Sequence, residues 1–226
     1  MRNQRDIAIE HAVKGKIIYL LALIVLVQFG YPVSTYGTPA LILYELLYVS
    51  MISVGVILGR DSLRHMLFLG FTGFIFLVAS MLYAFNPAVI WTVLITYLSL
   101  IPYLGMLIWV LGRFLLIAKT ITLDVIYSAV AIYLLLGALF VPLYGMLNMF
   151  IPDSFRDSSF PGITIQWQQF IYFSYTTLTS TGYGDFLPVS TWARSLANFE
   201  MITGIMFITI IMARLVSLYS TEKETK

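Results

Sequence analysis

The stretch TLTSTGYGD, residues 177–185, places hydroxyls, two glycines, a tyrosine and a carboxylate in succession within a chain that is 60% hydrophobic. Gly182 and Gly184 have no Cβ, so each can adopt a positive φ without a steric penalty. Alternating such residues with ordinary L-residues lets successive carbonyls face one axis. Carbonyl dipoles in that arrangement attract a dehydrated cation, and the Ser180 hydroxyl can add an oxygen. These residues therefore predict coordination of a cation by the backbone, with Asp185 at the outer mouth.

The segment before this stretch, ITIQWQQFIYFSYTTL, is compatible with a helix but too short to cross a bilayer, since the hydrocarbon core takes about 20 helical residues. We predict a re-entrant pore helix at about residues 164–178 and a filter loop at residues 180–184 that returns to the same side. Non-helical backbone at membrane depth is tolerated only where protein surrounds it or where it lines a water-filled path. The loop is therefore expected to line an ion path.

The elements that must position this loop are six apolar segments, each long enough to be a membrane helix. They are Ile17 to about Val33, Pro39 to Gly59, Met66 to Phe85, Ala88 to Gly112, Val125 to Ile151, and about Ser195 to Leu218. Pro102 and Pro142 are expected to bend their helices rather than end them, because the apolar runs continue on both sides. The predicted fold is an all-α membrane protein with six transmembrane helices, plus the re-entrant pore helix and filter loop between helices five and six.

The composition agrees with a membrane protein and excludes several other classes. Only 11% of the residues are charged and the mean hydropathy is +0.90, which a soluble domain does not match. The net charge of +2 is too small to indicate nucleic-acid binding, and the absence of cysteine excludes disulfides and thiolate metal sites. Of the 13 lysines and arginines, only Arg156 and Arg194 fall outside the predicted cytoplasmic segments. This bias predicts a multi-pass protein of the cell membrane with both termini cytoplasmic.

TLTSTGYGD resembles the selectivity-filter signature of tetrameric potassium channels, and the resemblance extends from about Leu123 to Leu218. A lone GYG would be weak, whereas GYGD behind a threonine-rich pore helix and between two spanning helices is a specific pattern. The six-helix count resembles the voltage-gated-like branch of that family. The resemblance implies that K⁺ is the permeant ion and that no organic cofactor is needed. It implies that the filter residues Ser180, Thr181, Gly182, Tyr183 and Gly184 bind the ion, with carbonyls of the first four forming the K⁺ sites.

The same resemblance assigns roles around the filter. Tyr172 and Phe173 lie where the family usually has a tryptophan pair, and Thr177 ends the pore helix, so these three are expected to support the filter. The phenol of Tyr183 is expected to pack against pore-helix aromatics. The sequence departs from the family at the first two filter positions: serine replaces the common threonine, and Thr181 replaces valine or isoleucine, which adds a hydroxyl that needs a partner.

Two residues of the sixth helix have alternative interpretations. A carboxylate inside a membrane helix is costly and is a functional hypothesis by default. Glu200 is expected to brace the back of the filter through Thr181 or a pore-helix hydroxyl; the alternative is a protonated or interface-level glutamate without a role in conduction. Gly204 lies twenty residues after Gly184, where the family has a gating hinge, and the alternative is close helix packing.

The domain organisation follows from the helices. We predict a cytoplasmic segment at 1–16, a four-helix membrane domain at 17–112, an interfacial linker at 113–124, a pore domain at 125–218 and a cytoplasmic tail at 219–226. The four-helix domain has the position of a voltage sensor, but its fourth helix carries no basic residue before Arg113. Opening is therefore expected to depend at most weakly on voltage.

The predicted function is potassium-selective conduction by a homotetramer in a lipid bilayer, because one chain supplies one filter strand and a ring needs four. The alternative is a non-selective monovalent cation channel with a filter loosened at Ser180 and Thr181. A potassium uptake subunit with four pore loops in one chain does not fit a chain with one loop. An intramembrane hydrolase is not indicated, since both histidines fall in cytoplasmic segments. The gating stimulus is not predicted, and a separate regulatory subunit is left open.

Overall fold

The computed structural model describes residues 15–85, 89–159, 162 and 164–224. Within these residues the chain forms seven α-helices, two 3-10 turns and a two-stranded ribbon. The helices are α1 Ile17–Phe29, α2 Thr38–Leu58, α3 Leu63–Phe85, α4 Ile90–Ile117, α5 Leu123–Phe150, α6 Trp167–Leu178 and α7 Thr191–Glu224. The 3-10 turns are Tyr31–Thr35 and Gly59–Asp61, and the strands are β1 Phe155–Asp157 and β2 Phe186–Pro188.

In the described part of the chain, five helices are long and apolar enough to cross a membrane: α2, α3, α4, α5 and α7. The prediction of an all-α membrane protein is confirmed in this general form. The first predicted span is shorter than expected, because α1 has 13 residues and is about 20 Å long. It ends at Gly30, and the chain continues as a 3-10 turn in which Pro32 occupies an early position without a backbone donor.

Helices α4 and α5 both continue through their internal prolines, Pro102 and Pro142. The predicted linker at 113–124 is divided differently in the structure. Helix α4 extends to Ile117, because Phe114 and Leu115 are buried in the core and the helix must continue to bury them. Only residues 118–122 separate it from α5, where the Thr122 side chain accepts a hydrogen bond from the first-turn backbone at 3.4 Å.

Helix α5 is the central element of the fold. Of its most apolar window, 61% of the residues are buried, and it packs against α1, α4, α6 and α7. One core cluster lies between α5 and the first four helices and includes Tyr103, Leu107 and Leu135. A second cluster lies between α5, α6 and the start of α7, and it is strongly aromatic. Helix α6, which corresponds to the predicted pore helix, is therefore held against the most buried of the five candidate spans.

The ribbon was not predicted from the sequence. Strands β1 and β2 pair antiparallel, with Arg156 opposite Leu187. The ladder is extended by two backbone hydrogen bonds, from Ser158 to the Asp185 carbonyl at 2.7 Å and from Val189 to the Ser154 carbonyl at 2.8 Å. Each strand has only three residues, which is too short to produce a recognisable pattern of alternating polarity. The ribbon joins the segment before the pore helix to the segment after the filter.

Candidate functional site

The pore helix α6 begins with a local capping arrangement and a tie to the ribbon. The Gln169 side chain accepts a hydrogen bond from the backbone N–H of Gln166 at 2.6 Å, and its amide donates to Asp157 at 2.9 Å. Phe170, Phe173 and other apolar residues then face the aromatic cluster below the ribbon. The orientation of α6 is thus set at its first turn by hydrogen bonds and along its length by burial.

The filter backbone alternates in conformation. Ser180, Gly182 and Gly184 have φ values of +57°, +52° and +84°, whereas neither Thr181 nor Tyr183 has a positive φ. The glycines have this conformation without steric cost, but a serine is uncommon there. The positive φ at Ser180 was missed by sequence reasoning. The one sequence feature that pointed to it is spacing: Ser180, Gly182 and Gly184 occupy alternate positions, so a repeat of positive φ at every second residue includes Ser180.

Hydrogen bonds to the end of α6 set the direction of the first filter carbonyls. The backbone N–H groups of Thr181 and Gly182 both donate to the Thr176 carbonyl, at 2.8 and 3.2 Å. In a trans peptide the N–H and the carbonyl of the same plane point in opposite directions. The carbonyls of Ser180 and Thr181 therefore point away from the pore helix. Ser180 itself donates its N–H to the Thr177 carbonyl at 2.9 Å.

The hydroxyl of Thr181, which departs from the family pattern, has a local partner. Its oxygen lies 2.9 Å from the hydroxyl oxygen of Thr179, which also donates to the Tyr175 carbonyl at 2.7 Å. Thr181 is exposed in the single chain and makes no hydrogen bond with Glu200. Of the two contacts that the sequence suggested for Glu200, this one is not made.

Glu200 lies behind the pore helix instead, fully buried at 0% exposure. Its two carboxylate oxygens accept hydrogen bonds from the hydroxyls of Ser174 on α6 and Tyr144 on α5. The Ser174 hydroxyl also lies 2.7 Å from the Gly137 carbonyl. Glu200 therefore joins α5, α6 and α7 at one point, through a pore-helix hydroxyl. Sequence reasoning had not singled out Ser174 or Tyr144; a serine within an aromatic run was the one signal for the former.

The outer part of the site depends on Tyr172. Its hydroxyl donates to the Asp185 carboxylate at 2.7 Å, and its ring stacks on Tyr183 with centroids 6.2 Å apart and an interplanar angle of 8°. The hydrogen bond from Tyr172 is the main cause that lowers the pKa of Asp185, which stays ionised at neutral pH. Phe173 points the other way, into the aromatic cluster, where its ring meets Tyr144 at 4.9 Å.

Gly204 lies where α7 passes closest to the end of the pore helix. A Cβ at this position would come closer than 3.0 Å to the backbone carbonyl of Leu178. That carbonyl also accepts a hydrogen bond from Tyr133 at 3.3 Å. The contact supplies a packing reason for the glycine, and a role as a gating hinge stays a prediction.

The two faces of the filter differ in exposure. The pore-helix side is buried, whereas all residues from Ser180 to Gly184 are exposed, Tyr183 at 72%. No atom lies within 4 Å of where a Cβ on Gly182 or Gly184 would be. The carbonyls that point away from the pore helix therefore face open space in the single chain.

One comparison with known protein families gives a match. Residues 120–221 match the model of a family described as "Ion channel". The match indicates an ion channel. It includes α5, the pore helix, the filter and most of α7, and it leaves out α1 to α4. It points to a transport protein rather than an enzyme. No curated protein and no solved structure matches the chain.

Proposed function

We propose that the chain is one subunit of a homotetrameric, potassium-selective channel whose filter is the backbone of residues 180–184. The observation that carries the proposal is the alternation of positive and negative φ, together with the two N–H groups bound to the Thr176 carbonyl. Carbonyls aimed away from their supporting helix are the ligands that replace the hydration shell of a permeating K⁺. The proposed K⁺ ligands are the carbonyls of Ser180, Thr181, Gly182 and Tyr183.

The assembly of four chains is supported by the exposure of α7. Only 6% of the residues in its apolar window are buried, compared with 61% in α5. Large apolar side chains such as Ile202, Ile205 and Met206 are more than half exposed. A helix beside the filter with so few contacts in its own chain is available for packing against neighbouring subunits. Four strands then close the ring of carbonyls that one chain begins.

The four helices α1 to α4 are proposed to form a structural or regulatory domain without voltage-sensing charges. Arg113 is 24 positions along α4 and lies 3.8 Å from Asp61 in the loop before α3. This ion pair keeps Arg113 at one end of the helix, where it crosses little of the membrane field. Steep voltage dependence takes about 3 to 4 charges per subunit within that field. The expected conductance–voltage curve is shallow, and a steep one would contradict the proposal.

The proposed placement is in the cell membrane, with both termini cytoplasmic and the ribbon outside. The basic residues support this orientation, since Arg156 in β1 and Arg194 at the start of α7 are separated from the cytoplasmic set. A separate regulatory subunit is compatible with the proposal but not required by it.

The alternative is a non-selective monovalent cation channel. Two observations favour it: Ser180 lacks the methyl group of the usual threonine, and the Thr181 hydroxyl bonds to Thr179 rather than packing as an apolar side chain. The two proposals are separated by loading liposomes that contain the purified protein with K⁺ or with Na⁺. The potassium proposal predicts flux from K⁺ gradients that Ba²⁺ blocks, with little Na⁺ flux. Equal fluxes of the two ions would favour the alternative.

A further inference from the structure

A cavity of about 120 Å³ lies inside the membrane domain, away from the filter. It is bordered by the end of α1, the first half of α2, the end of α3 and the beginning of α4. Residues of α5 and α6 close it toward the pore, among them Ala138 and Ile171. This volume is close to that of a cavity known to hold one benzene molecule, about 150 Å³.

The cavity has a carboxylate at its wall. Glu45 lies in α2, and the hydroxyl of Ser80 on α3 donates to its Oε2 atom at 3.0 Å. Among the described lining residues, Glu45 is the only carboxylate and there is no lysine, arginine or histidine. A carboxylate within a membrane-spanning helix is costly without a cationic partner. The lining supplies one hydrogen bond but no positive charge.

The remaining wall is rich in aromatic rings. Tyr44, Tyr48, Phe76 and Trp167 form a continuous series of ring contacts, with centroids separated by 5.9 Å for Tyr44 and Trp167, 5.2 Å for Tyr44 and Tyr48, and 5.0 Å for Tyr48 and Phe76. The faces of such rings attract organic cations, and the attraction increases when water is excluded. The site thus combines an uncompensated carboxylate with an aromatic wall.

This combination excludes several occupants. A divalent metal ion prefers several carboxylate or carbonyl oxygens, and Glu45 is the one carboxylate among the described lining residues. An anion would be repelled by Glu45. A lipid tail or a neutral hydrocarbon would fit the apolar wall but would leave the carboxylate without a charged partner. The chemistry that satisfies both parts is an ammonium group attached to a small apolar body.

We propose that this cavity binds a small lipophilic ammonium ion, with its nitrogen at Glu45 and its apolar body against the tyrosine and tryptophan rings. The occupant lies against the first turns of the pore helix, because Trp167 and Ile171 both line the cavity. Tyr44 links the cavity wall to α6 and to α1. Its ring stacks on Trp167 of α6, and its hydroxyl donates to the Val27 carbonyl of α1 at 2.8 Å.

The test measures binding to the full-length chain in lipid nanodiscs, with benzylammonium as the probe. Benzyl alcohol is the uncharged control of nearly the same shape. Calorimetry is expected to give an affinity for benzylammonium at least about tenfold higher than for benzyl alcohol. This difference is the attraction that a positive charge adds in an aromatic site. The Glu45→Gln variant keeps the shape of the side chain and removes its charge. It is expected to lose this preference while its affinity for benzyl alcohol stays within about twofold.

Two further variants keep the test decisive if Glu45→Gln does not fold. Ser80→Ala removes the hydrogen bond but not the charge, and it should retain the preference. Ala84→Leu fills part of the cavity and should weaken binding of both probes. If the probes only partitioned into the bilayer, this substitution would not change their binding. Equal affinities of the two probes for the unchanged chain would overturn the proposal, as would insensitivity to both Glu45→Gln and Ala84→Leu. Binding is measured without ion flux, so the outcome is independent of the proposed channel function.

Discussion

The stretch from Ser180 to Gly184 has one face toward helix α6 and one face away from it, and only the first has partners within the chain. Toward the pore helix, the backbone N–H groups of Thr181 and Gly182 are bound to one carbonyl, and Glu200 joins three helices at a buried point. Away from it, the residues from Ser180 to Gly184 are exposed, and there is open space where a Cβ on either glycine would lie. In the proposed tetramer, each chain would therefore supply the support of its own filter strand and one quarter of the ring of carbonyls.

This difference separates two kinds of perturbation. A change on the exposed face should alter which ions pass while the chain still folds, because no contact within the subunit depends on it. A change on the buried face should alter stability and opening, because it removes hydrogen bonds between helices.

Gly182→Ala should abolish selectivity or conduction while leaving assembly largely intact. Gly182 has a φ of +52° and nothing within 4 Å of its Cβ position, so alanine would clash with no neighbour. The cost is conformational, about 1–2 kcal/mol for a left-handed residue. Relief of that strain turns the filter carbonyls. Flux in liposomes and the oligomeric state in detergent measure the two effects.

The matched control is Gly162→Ala, since Gly162 has a φ of +82° in the loop before the pore helix and is equally free of close atoms. It should conduct normally. Potassium currents of ordinary size and selectivity from a well-expressed Gly182→Ala protein would contradict the account.

Glu200→Ala should destabilise the folded protein, because the buried Tyr144 hydroxyl loses its acceptor and the Ser174 hydroxyl keeps only the Gly137 carbonyl. The expected loss is roughly 1–3 kcal/mol, the cost of one buried hydroxyl left without a partner. Glu200→Gln keeps an acceptor and should change open probability more than unit conductance. Thermal unfolding in detergent measures the first effect and single-channel recording the second.

Thr209→Val is the control on the same helix, because the Thr209 hydroxyl bonds only to the Ile205 carbonyl of its own turn. Thr209→Val should change neither the thermal stability nor the open probability much. A large change in unit conductance with unaltered gating in Glu200→Gln would mean that Glu200 acts in the ion path, on the other face.

Tyr172→Phe should have the smallest effect, confined to the outer mouth and to acidic pH. The hydrogen bond from Tyr172 lowers the pKa of Asp185, so the bond between the phenol and the ionised carboxylate stabilises the mouth above the ordinary aspartate pKa of about 3.9. That stability is lost as the pH falls through the lowered pKa. Without the phenol, the pKa of Asp185 returns toward its ordinary value, and the acid loss of current should move to higher pH.

Current recorded while only the outer solution is acidified measures this shift. Tyr36→Phe, at an exposed phenol of the loop after α1, should leave the acid midpoint unchanged. An unchanged midpoint in Tyr172→Phe as well would mean that the hydrogen bond does not control Asp185.

The two faces also differ in how much of their structure the sequence alone predicts. The exposed face could be predicted because its requirements are local: Gly182 and Gly184 are separated by one residue, and their freedom at positive φ is intrinsic to glycine. The positive φ of Ser180 could not be predicted in this way. Hydrogen bonds to the end of α6 override the preference of serine for a negative φ. Local chemistry therefore indicated the ion site but not its full geometry.

The buried face depends on residues that are far apart in the chain. Tyr144 and Glu200 meet across 56 positions, and a tyrosine in an apolar helix gives no sign of its partner. The membrane spans were largely predictable from apolar length. The shortness of α1 was not predictable, because it depends on where a 3-10 turn begins. The ribbon was not predictable either, because each of its strands has only three residues.

The most direct test of the central claim is the reversal potential of the reconstituted protein with K⁺ on one side of a bilayer and Na⁺ on the other. A filter of backbone carbonyls from Ser180 to Tyr183 predicts a current that reverses far from zero, on the side set by K⁺. A reversal potential near zero from an active protein would contradict the claim that this filter selects potassium.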